Sequence, residues 1–324
     1  MLERKSDEAL AHGRKALDLA PDNLQAGRFL ANQYALAGRW KDLDELIAKL
    51  ETKVRLTDDL RSMAAEVAVR RGNLQRAREM SKALDDRSLA GLVTKARIEQ
   101  AAGQTLDAIA TYRKALTAYR ALPADQRAAQ AEIASEIHPL LVEQLRQTNS
   151  APEARSLMKQ IERDLPDPLL RDFTLARCHH VLKEYDQART LYDKVLSQRP
   201  EFGRALICRA ILGANRKQLD QAEADLRRTL AIADLPAALQ IEARRKLAEL
   251  ILIGPSSSPA KLEEALKLIE TNSLVLGETL EDKRLRSIGL IRLPDQVPAA
   301  IALLEEITRL EPLKPIERFL LAMA

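Results

Sequence analysis

An all-α fold built from a repeated unit is predicted by two features of the sequence. The first is composition. Of 324 residues, 46% are hydrophobic and 30% are charged, whereas 3% are aromatic and 11 are glycine, a balance that favours helices over strands. The second is an internal period, because Ala154, Ala188 and Ala222 lie 34 residues apart within similar phrases, and Pro166 and Pro200 repeat the interval. Several coincidences in phase indicate a repeat array.

The period and the residues at fixed places resemble the tetratricopeptide repeat. Each unit of that family has two antiparallel helices, A and B. The segment 24–50 has Leu30, Ala31 and Tyr34 where the family places its helix A residues, and Gly38 at the turn. A second segment, 169–200, matches through Leu175, Ala176, Tyr185, Ala188, Tyr192 and Pro200. The resemblance implies a right-handed superhelical solenoid of antiparallel helix pairs, in which each pair buries one face on its neighbour.

Taken in phase, the pattern gives one solenoid over residues 1–324 with about eight complete pairs. The units are expected to begin near Leu24, Asp58, Leu89, Ser135, Leu169, Gly203, Ala237 and Glu281.

An unpaired helix is expected at each end. Residues 6–21 have the pattern of a helix B without its A, and residues 313–324 that of a helix A without its B. Phe319, Leu320 and Leu321 give the last helix no polar capping face, so we expect a piece of a longer array. The alternative is a complete protein whose end helices pack inward or associate with a second copy.

Two stretches depart from the period. Residues 117–139 are longer than the family's connection, and Pro139 lies inside a helical pattern, which predicts a kink or a broken helix. Residues 254–259 are rich in Pro and Ser and predict a loop longer than the family's turn.

Catalysis is not expected from this sequence. It contains none of the common nucleotide-binding, metalloprotease, hydrolase or Cys-pair motifs. Cys178, His179 and His180 are consecutive, and such neighbours on a helix point about 100° apart, so they do not converge on one ion. In the repeat register Cys178 and His179 take packed positions, while His180 faces the groove. We therefore expect no enzyme activity, cofactor or metal.

The resemblance implies a concave groove lined by the A helices. Residues at the family's groove positions are Arg28, Asn32, Glu66, Arg70, Arg97, Glu143, Arg146, Arg177, His180 and Arg204, and Arg245 and Asp282 occupy the corresponding places further on.

The ninth position of successive units alternates in charge. It is occupied in turn by Asn32, Glu66, Arg97, Glu143 and Arg177. Neighbouring helices pack roughly 10 Å apart, so these side chains could pair along the groove. Two interpretations stay open: a structural ladder of ion pairs, or a mixed-charge groove that fixes the register of a bound peptide.

A non-catalytic scaffold that binds a protein or peptide in the groove is the function favoured by these features. The alternatives are a regulatory or sensor arm of a larger multidomain protein and a single-stranded RNA-binding repeat. A nucleic-acid partner is not expected, because Glu66 and Glu143 fall in the groove, aromatics are few and the net charge is only +4. Self-association through the end helices is a further alternative.

A cytoplasmic location is expected. Two cysteines provide no disulfide framework, and the sequence has no run of about 18 apolar residues that would predict a membrane span. The first ten residues lack the apolar region of a signal peptide, although a trimmed N-terminus would have lost one.

Overall fold

The computed structural model describes residues 2–36, 39–70, 72–85, 87–254, 258–276, 278–310 and 312–323. Within these ranges the chain is helical, with one 3-10 turn and no strand. The helices in chain order are α1 (Leu2–Leu19), α2 (Leu24–Leu36), α3 (Trp40–Glu51), α4 (Asp58–Arg70), α5 (Leu74–Lys82), α6 (Leu89–Ala101), α7 (Thr105–Ala121), α8 (Ala124–Ala129), α9 (Ala131–Gln147), α10 (Ala151–Met158), α11 (Ile161–Asp164), α12 (Pro168–Val181), α13 (Tyr185–Gln198), α14 (Gly203–Asn215), α15 (Leu219–Leu230), α16 (Ala237–Ile253), α17 (Pro259–Leu276), α18 (Leu280–Leu290), α19 (Val297–Leu310) and α20 (Pro315–Met323).

Eight A–B pairs can be followed through the described residues. They are α2–α3, α4–α5, α6–α7, α9–α10, α12–α13, α14–α15, α16–α17 and α18–α19. The largest difference from the expected starts is at α9, which begins at Ala131 rather than near Ser135. The all-α helical-repeat fold is therefore confirmed. Of the expected loop at 254–259, residues 255–257 lie outside the described residues.

The chain divides into two compact units. The first comprises Met1–Ala35 and Asp42–Phe202, and the second comprises Leu36–Lys41 and Gly203–Ala324. Each has its own buried apolar cluster, formed mainly by α6, α7 and α9 in the first unit and by α14 to α17 in the second. The expectation of one solenoid over the whole chain stays a prediction.

The alanines that define the period are points of close helix contact. Ala154, Ala188 and Ala222, at equivalent places in three B helices, have no exposed surface, and the same is true of Ala77 and Ala108. A larger side chain at these places would push the neighbouring helix away, because packed interiors have little free volume.

Five of the described A–B turns share one backbone conformation. Gly72 and Gly103 have φ of 73°, Asn149 has φ of 56°, and Lys183 and Lys217 have φ of 62°. In each turn the following amide donates a hydrogen bond of 2.8–2.9 Å to the carbonyl five residues earlier, which ends the A helix. A left-handed residue is thus a structural requirement of this turn, and glycine meets it without steric cost.

Replacing Lys183 or Lys217 with glycine is therefore expected to stabilise the protein by about 0.5–1 kcal/mol. The gain arises because the left-handed conformation strains a residue that has a Cβ atom. A higher urea midpoint, followed by far-ultraviolet circular dichroism, would show it. Lys183→Ala is the control: it retains the Cβ atom and should give no such gain. Equal midpoints for the glycine and alanine variants would contradict the explanation.

Helix α9 is continuous through Pro139, so the expected break is wrong, while the expected kink stays a prediction. The chain is interrupted instead at Gln130, between α8 and α9. A proline inside a helix costs about 3 kcal/mol. Here that cost is offset by burial on both sides of Pro139, where Ile137 and Leu141 are almost completely inaccessible.

A buried ionic cluster ties the irregular region together. Asp164, on α11, accepts hydrogen bonds from Arg120 of α7 at 2.8 and 2.7 Å. His138 Nε2 of α9 lies 3.1 Å from Asp164 Oδ2, and the Tyr119 hydroxyl donates to the Asp164 carbonyl at 2.8 Å. Burial alone would raise the pKa of Asp164. The hydrogen bond from Arg120 and the contact with His138 outweigh burial and lower this pKa to about 2.

Asp164 is expected to make stability fall at acid pH. Its folded pKa of about 2 lies below the ordinary value of 3.8, so its contribution is complete above about pH 4 and is lost as pH falls toward 2. The full effect is about 2 kcal/mol. Urea unfolding of wild type and Asp164→Asn across this range would measure it. The difference between the two proteins should shrink as the pH falls. A constant difference would contradict the assignment.

The first and last helices both pack on a neighbour. Helix α1 begins at Leu2, earlier than expected, and its Arg14 donates a 2.9 Å hydrogen bond to the Tyr34 hydroxyl of α2. In α20, Glu317 is buried and accepts a hydrogen bond from Arg284 of α18, while Phe319 is 59% exposed.

No helix in the described ranges has both the length and the hydropathy needed to cross a bilayer.

Candidate functional site

Three A helices of the first unit, α4, α6 and α9, surround a cavity of about 420 Å³. Helix α4 packs on α6, whereas α9 packs on α7 and α12, and residues 122–130, which include α8, lie between α7 and α9 in the chain. The residues that line the cavity are Glu66 and Val69 of α4, Thr94, Arg97, Ile98, Gln100 and Ala101 of α6, and Glu136 and Leu140 of α9.

The cavity combines apolar and ionic groups. Val69, Ile98, Ala101 and Leu140 supply its apolar lining, and Glu66, Arg97 and Glu136 supply charges from three successive A helices. Two polar groups of the lining already form hydrogen bonds within the protein. The Thr94 hydroxyl donates to the Ala90 carbonyl at 2.9 Å, and the Gln100 side-chain oxygen accepts from Tyr112 at 2.9 Å. The amide NH2 of Gln100 is not used in that bond.

Glu136 links the cavity to the next A helix. Its Oε1 accepts a 2.9 Å hydrogen bond from Arg177 Nη1 of α12. The guanidinium of Arg177 also lies 5.6 Å from the centre of the Phe173 ring, within cation–π range. Arg177 is thus held on two sides, and its charge compensates that of Glu136.

Glu143 and Arg146 form a pair within α9. The Arg146 guanidinium donates two hydrogen bonds to Glu143, at 2.9 and 2.7 Å, which lower the pKa of this carboxyl. Neither residue is among those that line the cavity. The repeat register favoured Glu143 as the partner of Arg177, but Glu136 of the same helix forms that pair. Sequence reasoning missed Glu136, although an insertion before α9 could have suggested a shifted register.

Arg97 stands at the centre of this surface. It is exposed and lies on the cavity wall. We find no ion pair between Arg97 and any other described residue. Glu66 also lines this cavity. The structure thus brings Glu66 and Arg97 together, as their shared place in the repeat implied.

The first A helices carry another predicted pair of groove residues. Arg28 Nε lies 2.6 Å from Asp59 Oδ2, which joins α2 to α4. Burial acts to raise the pKa of Asp59, but the Thr57 hydrogen bond and the Arg28 charge together hold it below its ordinary value. Asn32 is exposed one turn after Arg28. Arg70 ends α4, and its side chain lies outside the described residues.

His180 of α12 does not occupy the groove position that the register gave it. The His180 ring lies 5.9 Å from Tyr185 and 6.5 Å from Tyr192, both on α13, so it packs between the helices of its own pair and does not face the groove. Burial lowers the pKa of His180. His179 Nδ1 instead lies 2.7 Å from Glu184. Cys178 is buried, which raises the pKa of its thiol to about 12.

The A helices of the second unit carry the remaining predicted groove residues. Arg204 is the first of them, on α14, and it is partly exposed. Arg245 of α16 is bonded to Asp282 of α18 at 3.0 and 3.1 Å. A cavity of about 260 Å³ is lined mainly by apolar side chains of α14, α15 and α16, with Lys246 and Glu249 beside them. No group of three or more His, Cys, Asp or Glu side chains in the described ranges is arranged to hold a metal ion.

The Glu136–Arg177 pair is expected to contribute about 0.5–1 kcal/mol of coupling energy, because it is partly buried. A double-mutant cycle with Glu136→Gln and Arg177→Gln, measured by urea unfolding, would test it. The matched control is a cycle of Glu143→Gln with Arg177→Gln, for which we expect additive effects. A larger coupling in the control cycle would contradict the pairing.

No protein-family model and no curated protein matches the sequence. Solved structures share its fold. The chain aligns over 99% of its length with a chain of the APC/C hetero-tetramer Cut9–Hcn1, at 12% identity and a TM-score of 0.50, and spans 58% of that chain. A tetratricopeptide repeat protein from Parabacteroides merdae aligns with 88% of this chain and 99% of its own length, at 14% identity and a TM-score of 0.50. The chain has the tetratricopeptide-repeat fold.

Proposed function

We propose that this chain is a protein–protein interaction scaffold that binds a segment of a partner protein on the A helices of its first unit. The observation that carries the proposal is the cavity around Arg97, in which three helices bring apolar surface and opposite charges together. Sites of this kind recognise a ligand through a buried anchor and fix its orientation through a few polar groups.

A chain segment fits this surface better than a compact small molecule. Ionic groups continue beyond the cavity in both directions, at Arg28 and Asp59 on one side and at Arg177 on the other. An extended ligand that crosses successive A helices can meet several of these groups. Charges placed at intervals along such a path favour one register of the ligand over others.

Recognition rather than catalysis is the role that we propose for the lining residues. The one hydroxyl among them, that of Thr94, is hydrogen-bonded to its own helix. The remaining polar groups are carboxylates, a guanidinium and an amide, which suit ion pairing and hydrogen bonding. A cytoplasmic location belongs to the same proposal and is supported by Cys178 and Cys208, which are not joined in a disulfide.

Charge reversal at Arg97 tests the proposal. Arg97→Glu should abolish capture of partners from a lysate of the source organism, measured by quantitative mass spectrometry, because it places a third carboxylate in the cavity. We prefer this single change to one that also reverses Arg177, since Arg177→Glu would set a second carboxylate against Glu136 and disturb the fold. Helicity and the urea midpoint of the Arg97→Glu variant should match the wild type.

The control is Arg163→Glu, an equal change of charge at an exposed position on α11. Partners should be retained by this variant and lost with Arg97→Glu. Retention of the same partners by folded Arg97→Glu would contradict binding at this cavity. Loss with both variants would indicate capture through net charge alone.

A further inference from the structure

We infer that the bound segment presents an acidic side chain to Arg97 and, beside it, an apolar side chain that fills the cavity. This inference rests on the proposed function and specifies the chemistry of the partner. It concerns a segment that continues past the cavity in both directions, so the carboxylate is that of an Asp or Glu side chain rather than of a chain end.

The acidic group follows from a comparison of the cations on the A helices. Arg28, Arg177 and Arg245 each bind a carboxylate on a neighbouring A helix, at 2.6, 2.9 and 2.9 Å. For Arg97 we find no such pair among the described residues, although it occupies the same face. A carboxylate supplied by a partner would complete the series at this position, and charge-assisted hydrogen bonds to a guanidinium are the strong ones.

Glu66 and Glu136 do not cancel the attraction for an acidic group. Glu136 is bonded to Arg177, so its charge is compensated from α12. Glu66 reaches the cavity from α4, whereas Arg97 reaches it from α6. A segment with an acidic residue over α6 therefore meets favourable charge there.

The apolar anchor follows from the rest of the lining. Val69 and Ala101 contribute apolar surface together with Leu140, and Ile98, which is almost completely buried, also borders the cavity. A volume of about 420 Å³ accommodates a bulky side chain and the backbone that carries it. Burying such a side chain next to an ion pair excludes water from the pair and strengthens it.

Peptide selection tests this chemistry directly. A random peptide library fused at its C-terminal end to a phage coat protein offers no free carboxyl terminus, so only internal carboxylates are available. We expect the wild-type protein to enrich peptides with Asp or Glu next to an aliphatic or aromatic residue. Arg97→Glu should enrich Lys or Arg at the acidic position. Ala101→Phe, which fills the cavity from an exposed position, should remove the apolar preference.

Affinities of a synthetic peptide with the selected sequence complete the test. Arg97→Glu should weaken binding about 10- to 100-fold, and replacing the acidic residue of the peptide with Lys should restore binding to this variant. Arg163→Glu should leave the affinity unchanged.

Three outcomes would overturn the inference. Selection of peptides without an acidic preference, or an acidic preference that persists in Arg97→Glu, would contradict the partner chemistry while leaving the scaffold proposal intact. If no peptide is enriched by the wild type, the inference fails. If Arg97→Glu in addition still captures partners from lysate, the proposed binding surface fails with it.

Discussion

Close contact between helices at alanine is the constraint on which the rest of the structure depends. Ala31, Ala176 and Ala210 occupy one place on their A helices, and all are buried. Alanines at one shared place on the B helices, such as Ala154 and Ala188, are likewise buried. Because each helix of the repeat is too short to be stable alone, its stability comes from its neighbours, and the spacing of those neighbours is set at these small residues.

The insertion before α9 shows how such an array absorbs a departure from its period. Residues 122–130, which include α8, lie between α7 and α9 in the chain. Beside this insertion Asp164 of α11 contacts Arg120 of α7 and His138 of α9, and the cavity lined by Arg97 lies between α4, α6 and α9. The irregular part of the repeat thus contains both a polar cluster and the candidate binding surface.

Charged residues on the A helices have two kinds of surroundings in this protein. Pairs such as Arg28–Asp59 and Arg245–Asp282 join neighbouring A helices through side chains of the protein itself. Arg97 lies instead on the wall of a cavity. Both interpretations of the alternating charges, a structural ladder and a ligand groove, stay predictions.

Much of the fold was predictable because its determinants are local. The 34-residue spacing of Ala154, Ala188 and Ala222 indicated a repeat array, and the family resemblance implied the helix pairs. The turns at Gly72 and Gly103 need a left-handed residue where the preceding helix ends, which is also a local requirement. Glu66 and Arg97 could be assigned to one surface from their shared place in the repeat. Each of these conclusions depends on residues within one unit or on the period itself.

Only the tertiary structure decided which side chains meet between units. Glu136 rather than Glu143 binds Arg177, because the placement of α9 against α12 brings the Glu136 carboxylate within reach. His180 rather than His179 packs on α13, because ring packing against Tyr185 and Tyr192 selects between neighbours about 100° apart. A periodic sequence determines that a helix is present and which face is buried. The partner of a given charge depends on the rotation and displacement of two helices, and these are set by contacts far apart in the chain.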